Sequence, residues 1–343
     1  MQYEKIKPYI EKGLISEQPH PDNAAVRIFN YTQACQFSQA WDDVTRQCRG
    51  LIMDIETGEV LARPFPKFFN YQEHVAKGWP IPTSTPTIAE KLDGSLGIMY
   101  TLNHKTWIAT RGSFTSDQAI WATKWWRENK GDEPYGNDAT HLFEIIYPEN
   151  RIVVSYDFSG LVHLASIDTK TGQAVDAIMP VRRAERFDNL TIDQLLALDK
   201  TNEEGFVVFY PEENIRMKIK FPEYVRLHKL VTGVSEIAIW EHLRDGKGMG
   251  DLLEKVPDEF FKWVTDVQHR LMKQFAEIET VCKNDFEAIA HAGRSRKDIA
   301  IAFQECKYPG VLFAMLDGKD YKQGIWRMVR PRGQSQFKVD IDL

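Results

Sequence analysis

Few stretches of this chain leave the backbone less choice than Glu90-Lys91-Leu92-Asp93-Gly94-Ser95. They run straight into the apolar, β-prone Leu96, Ile98, Met99 and Tyr100. Asp-Gly is a turn signal, because glycine adopts the tight backbone that other residues resist and lets the chain come close to a ligand. Lys91 is thereby expected at the mouth of a strand–turn–strand corner, with the Ser95 hydroxyl beside it. A lysine amine is a poor nucleophile until nearby cations or desolvation remove its proton. By itself the hexamer also fits an ordinary hairpin with a solvated lysine. Its meaning depends on what else the chain brings to Lys91.

A length of 343 residues suggests two domains, each large enough for its own core. Apolar and charged contents of 43% and 27% suit a globular protein in water. No run approaches the length of a membrane span, and Met1-Gln2-Tyr3-Glu4-Lys5 has no apolar leader, so the expectation is a cytoplasmic protein without membrane contact. Cys35, Cys48, Cys282 and Cys306 are widely spaced and form neither a C-x-x-C pair nor a zinc pattern, which fits reduced thiols. The net charge of −6 excludes a general polyanion-binding coat. Residues 222–343 balance to zero, so the deficit lies in residues 1–221. Nucleic acid would have to be met by a local cationic groove.

Along the chain, Tyr3–Glu11 reads as a short helix, followed by a loop broken by Pro19 and Pro21. Strands are expected at 27–31, 48–55 and 60–63, the last two joined by the turn Glu56-Thr57-Gly58-Glu59. Leu96–Thr101 pairs with Trp107–Thr110. A helix runs from about Ser116 to Glu128, capped by Ser116 or Asp117, and its Trp121 and Trp125 are read as core packing, not base-stacking platforms. β-rich runs follow at 141–147, 152–156 and 161–167, then a short helix near 192–198 and strands at 203–210 and 215–221. In the last of these, Arg216, Lys218 and Lys220 alternate onto one face. Beyond Phe221-Pro222 the texture becomes helical (235–243, 257–283, 297–306), with Gly246-Lys247-Gly248-Met249-Gly250 as a link. The expected division is residues 1–222, an α+β domain of antiparallel strands, and residues 223–343, a mainly α-helical domain.

Lys91, Arg111, Glu144, Glu204, Lys218 and Lys220, with Arg49 and Lys67 upstream, interrupt otherwise buried strands. Each needs a partner. A set of structural salt bridges would satisfy them. So would a polyphosphate and divalent-metal site, because phosphoryl chemistry consists largely of positioning and charge neutralisation.

The ordered series Lys91-Leu92-Asp93-Gly94-Ser95, Phe143-Glu144-Ile145-Ile146, Glu204-Gly205-Phe206-Val207-Val208 and Lys218-Ile219-Lys220 resembles the covalent nucleotidyltransferase superfamily, with its antiparallel-sheet, ATP-grasp-like ligase domain. Cys48-Arg49-Gly50, Arg63-Pro64, Lys67-Phe68-Phe69-Asn70, Arg111-Gly112-Ser113 and Pro148-Glu149-Asn150-Arg151-Ile152-Val153 are similar to the ATP-dependent RNA ligases of the T-even phage tRNA-repair type. The resemblance spans roughly residues 27–221.

That resemblance implies three steps. Lys91 attacks the α-phosphorus of ATP to give lysyl-AMP. The AMP passes to an RNA 5′-phosphate, and a 3′-hydroxyl then closes the phosphodiester. Lys218 and Lys220 would contact phosphate and favour the free amine of Lys91. Glu144 would hold the ribose hydroxyls. Glu204, directly or through water, and Asp93 would hold Mg²⁺ or Mn²⁺. Arg49, Lys67 and Arg111 would engage the triphosphate or the RNA end. Glu90 and Gly94 would line the nucleotide site, and Phe69 fits either that site or the core. The implied partner is RNA with 5′-phosphate and 3′-hydroxyl ends, broken tRNA included, joined by a monomer. The alternatives are a DNA nick-sealing ligase or a capping-type guanylyltransferase, against which stands the lack of a Greek-key barrel pattern after Lys220, and a nucleic-acid-binding module without catalysis. The helical region would choose the RNA, with cations at Arg294, Arg296, Lys297, Arg327, Arg330 and Arg332 facing phosphates.

Overall fold

Alternation between apolar and polar positions dictates the strands, and strands whose two faces are both apolar dictate the layering. The computed structural model describes residues 1–187, 189–232, 235–249, 258–290 and 293–331. It divides into two units, Met1–Val231 and Thr232–Leu343. The helix Pro222–Thr232 thus falls almost wholly in the first unit.

The strands of the first unit are β1 (Ile15–His20), β2 (Asn23–Tyr31), β3 (Arg49–Asp54), β4 (Val60–Ala62), β5 (Phe69–Asn70), β6 (Thr87–Lys91), β7 (Ser95–Leu102), β8 (Lys105–Ala109), β9 (Ala139–Ile146), β10 (Gly160–Asp168), β11 (Ala174–Val175), β12 (Gly205–Tyr210) and β13 (Ile215–Lys220). They form three sheets with orders β1-β2-β3-β4, β11-β10-β9-β7-β8 and β5-β13-β12-β6. Every pairing is antiparallel except β5 on β13. The α+β class is as expected, with that one parallel edge added.

The first and second sheets share a core in which Ile28 and Ile52 meet Ile98, Tyr100 and Leu142. One residue along β2 and β7 the side chain changes face. Phe29 joins Ile6 of the helix Tyr3–Glu11, and Met99 joins Ala122 and Trp126 of the helix Asp117–Lys130. Ser116 caps that second helix, accepting from the Ala119 N–H. A smaller cluster of Leu92, Ile146, Val162 and Ala184 underlies the turn after Lys91.

Two expectations need correction. Pro19 does not end the structure before β2: it lies in β1, an edge strand, where a missing N–H costs no ladder bond. Residues 152–156 form no strand, because Asp93 takes two of the peptide N–H groups that a neighbouring strand would need. Trp121 and Trp125 pack against the core as expected, partly buried beside the fully buried Trp126, with Trp121 stacked on Tyr147 at 4.4 Å.

The second unit is helical among the described residues: Glu236–Arg244, Asp258–Ile289, Arg296–Gln304, Pro309–Leu316 and Lys322–Met328. Cys282, Ile299, Phe303, Val311, Leu312 and Ile325 form its core. Gly250, Pro257 and Arg332 lie outside the described residues. No helix among them is long and apolar enough to cross a membrane. All four cysteines are free.

Candidate active site

The third sheet gathers the charged residues. Gly205 of β12 pairs with Lys91 of β6 on one side and Lys220 of β13 on the other, so the two lysines end their strands on either side of one residue. Glu204, the preceding residue, is buried, and one of its oxygens receives both: Lys91 Nζ lies 2.7 Å and Lys220 Nζ 3.1 Å from Oε1. Two cations on one buried carboxylate satisfy the rule that a buried charge needs partners.

Gly205 makes this junction. Its φ of +146° is one that side-chain-bearing residues rarely adopt, and a Cβ there would lie 2.0 Å from the Ile219 carbonyl oxygen. Lys218 is buried on the same face of β13, level with Asn70 of β5. Arg216, next on that face, is also buried, but its guanidinium lies over the Phe209 and Phe65 rings at 3.7 and 4.6 Å.

Glu144 stands on β9 opposite Leu96 of β7. Burial pushes its carboxyl up to about 8; the Lys91 ammonium and the Gly94 N–H oppose this, while the charges of Glu204 and Asp93 add to it. Gly94 is needed for close approach here: a Cβ would meet the Ile145 carbonyl oxygen at 2.6 Å and Glu144 Cγ at 3.1 Å. The space that Gly94 leaves is filled by β9 and Glu144 of the protein itself.

Asp93 is almost fully buried. Its Oδ2 accepts from the Val153 and Val154 N–H groups at 2.8 Å each, and its Oδ1 accepts from the Tyr224 hydroxyl at 2.7 Å. Both Asp93 oxygens thus hold the protein's own donors. Glu90 lies in the strand but is turned aside, its Oε1 accepting from the Glu185 N–H at 2.9 Å.

The upstream cations assemble around aromatic rings. Lys67, buried, has its ammonium 5.4–5.6 Å from the rings of Trp41, Phe69 and Tyr31. Arg111 lies over Tyr31 from another side and donates to its hydroxyl at 3.1 Å. The Arg49 guanidinium sits 5.7 Å from Phe68. Phe69 packs on Trp79 at 4.8 Å, so its ring is part of the wall around Lys67. Gly50, at φ +94°, lets β3 approach the Arg111 backbone; a Cβ there would lie 3.1 Å from the Arg111 carbonyl oxygen.

Sequence reasoning missed Tyr31, Trp41, Tyr156 and Tyr224, all of which touch expected site residues. Their partners lie far away in the chain: Tyr224 and Asp93 are 131 positions apart. No local spacing pattern marks such a pair.

Among the described residues no group of three His, Cys, Asp or Glu side chains could hold a metal ion. The donor set that remains is Glu204 and Glu144, whose charges oppose each other. A hard dication that keeps several of its waters fits such a pair, because it needs few protein oxygens and relieves their repulsion.

A family profile described as RNA ligase matches residues 47–224, just over half of the chain. An RNA ligase of Rhodothermus phage RM378 is 23% identical, with 86% of each chain aligned. RNA ligase 1 of bacteriophage TS2126 is 32% identical over 35% of this chain and 34% of its own. A provisionally named bifunctional polynucleotide kinase/RNA ligase of Autographa californica nuclear polyhedrosis virus is 28% identical over 61% of this chain, which spans 35% of that protein's length. Among solved structures, an archaeal ATP-dependent RNA ligase aligns at a TM-score of 0.47 and 15% identity, covering 76% of this chain and 70% of that one. With Lys91, Glu204 and Lys220 brought together at the third sheet and more than half its length matched, the chain belongs to the RNA ligase family.

Proposed function

We propose that the protein is an ATP-dependent RNA ligase that joins a 5′-phosphate to a 3′-hydroxyl through a lysyl-AMP intermediate. The observation that carries the reading is the shared hold of Glu204 on Lys91 and Lys220 in a chain of this family. In the first step the Lys91 amine attacks the α-phosphorus of ATP, forming a phosphoramidate as the bond to pyrophosphate breaks. To do so Lys91 leaves Glu204. Lys220 and Lys218 stay on β13, where their charge would meet the α-phosphate. The AMP then moves to the RNA 5′-phosphate, freeing Lys91, and the 3′-hydroxyl displaces AMP to form the phosphodiester.

Glu204 and Glu144 would hold a Mg²⁺ or Mn²⁺ ion, which when bound neutralises phosphate charge. The raised protonation range of Glu144 supports its other assignment as well: with its proton it donates to a ribose oxygen, and without it accepts from a ribose hydroxyl. Lys67, Arg111 and Arg49 are cations beside aromatic walls, suited to the triphosphate tail or the incoming RNA phosphate. We further propose that residues 223–343 select the RNA, that broken tRNA is among the substrates, and that the enzyme works as a monomer in a reducing cytoplasm. The four free cysteines support the last point.

Incubation with ATP labelled at the α-phosphate, followed by denaturation, tests the reading. A covalent adduct that disappears in Lys91→Ala is expected. An equal adduct in that variant would reject Lys91 as nucleophile. Sealing of nicked duplex DNA in preference to single-stranded RNA would reject the substrate class.

A further inference from the structure

Residues 150–156 form no strand, yet they bond to the chain beside Lys91, Glu204 and Glu144. Asp93, two positions after Lys91, accepts from the Val153 and Val154 N–H groups and donates its own N–H to the Tyr156 hydroxyl at 2.7 Å. Asn202, two positions before Glu204, brackets Ser155: its Oδ1 accepts from the Ser155 N–H at 2.8 Å and its Nδ2 donates to the Ser155 carbonyl at 3.0 Å. Buried Asn150 accepts from the Ser95 hydroxyl at 3.0 Å and donates to the carbonyl of Ile145, the neighbour of Glu144, at 2.8 Å. Lys91, Glu204 and Glu144 are therefore each one or two residues from a bond to the same short segment.

This arrangement differs from ordinary loop satisfaction in one respect. Asn202 has φ +58°, a left-handed conformation that asparagine tolerates, and in it both polar atoms of the side chain meet the N–H and C=O of one residue, as a pairing strand would. The Glu204 loop is thereby tied to a segment whose other edge is held by Asp93. Pairing of β6 with β12 fixes the strand ends, but Glu204 precedes β12 and Asp93 follows β6. The strands stop where the site begins.

We propose that residues 150–156 act as a brace that sets the spacing of Lys91, Glu204 and Glu144, with Asn202, Tyr156 and Asn150 as positioning residues for adenylyl transfer. The inference rests on the ligase reading above. Since none of the three need touch ATP, their loss should slow the chemical step and leave nucleotide affinity alone; a small misplacement of reacting groups costs up to about a hundredfold in rate.

Asn202→Gly keeps the left-handed backbone while deleting both bonds, and Tyr156→Phe removes the oxygen that receives the Asp93 N–H. Both variants and their combination should be followed in full-length protein by quenched-flow labelling of Lys91 across an ATP series, with unfolding midpoints measured alongside. Each single change is expected to lower kcat for labelling about tenfold or more with the ATP KM within about twofold, at midpoints within a few degrees of the parent. The double variant should lose less than the product of the two, because one brace is broken twice. Parental labelling rates in both single variants would overturn the brace. So would a joint change in kcat and KM that tracks a fallen midpoint, since that is general loosening. Absence of label on the parent would instead overturn the ligase reading, and the inference with it.

Discussion

Glu144 is the site residue whose charge state the fold most disturbs. Between the ordinary glutamate value of 4.5 and about 8, the folded protein keeps a proton that the unfolded chain has already released. The stability this proton contributes is full below the lower value and is lost as pH rises through the upper one. Glutamine cannot ionise and escapes that loss. The unfolding midpoint of Glu144→Gln, relative to the parent, should therefore rise by a few degrees between pH 5 and pH 8.5 in nucleotide-free protein. A constant difference across that range would mean that Glu144 titrates like an exposed carboxyl. At Asp93, Tyr224→Phe removes one of three donors from an almost fully buried carboxylate. A loss of about 1–3 kcal/mol in denaturant unfolding is expected.

At the scale of elements, the site depends on where three strands stop. Gly205→Ala would drive a methyl group into the Ile219 carbonyl and separate β12 from β13. The expected cost is about 3 kcal/mol or more, with Lys91 labelling lost even in protein that remains folded, because Lys220 would move with β13. Retention of full labelling would show that the register of these strands is dispensable.

The strands themselves were largely legible, since alternation in β2, β7 and β13 and the Asp-Gly turn are local signals. The clustering of Lys91, Glu204 and Lys220 also had a local mark, because a charged residue in or beside an apolar strand stands out. What local pattern could not reveal was the irregular course of residues 150–156. Ile152-Val153-Val154 has strand composition, and the competing partner, Asp93, lies about 60 positions away. The hydrogen bonds of Asp93 were hidden in the same way, since a carboxylate in a turn beside a nucleophile shows nothing locally of its long-range donors.

Over the whole molecule, the two units divide the chemistry unevenly. Every signature residue lies within Met1–Val231, while Thr232–Leu343 carries exposed cations whose partners differ. Arg296 and Lys319 share the one carboxylate of Asp317, so each already has an anionic partner. Arg294 and Lys297 are exposed and make no carboxylate contact among the described residues, which makes them the better probes of phosphate contact. Charge reversal at both is expected to leave Lys91 labelling unchanged. It should weaken joining of structured RNA several-fold more than joining of short unstructured RNA, and lower the salt dependence by about one phosphate contact per residue. Loss of labelling would show instead that the helical unit supports the nucleotide site.

The shared carboxylate of Glu204 also shapes what happens to Lys91 between turnovers. Cells hold many electrophiles that modify amines, and a nucleophile left free would be consumed by acetylating and carbamylating agents before its substrate arrived. With its ammonium 2.7 Å from a buried carboxylate and its side chain mostly covered, Lys91 is held away from such reagents by the ion pair. An amine-directed reagent should accordingly modify Lys91 more slowly than exposed Lys297, as read by mass spectrometry of the nucleotide-free protein, and Glu204→Gln should narrow that gap. The same contact that marks the site thus works as a safety catch, released only when phosphate oxygens and a cation compete for its two partners.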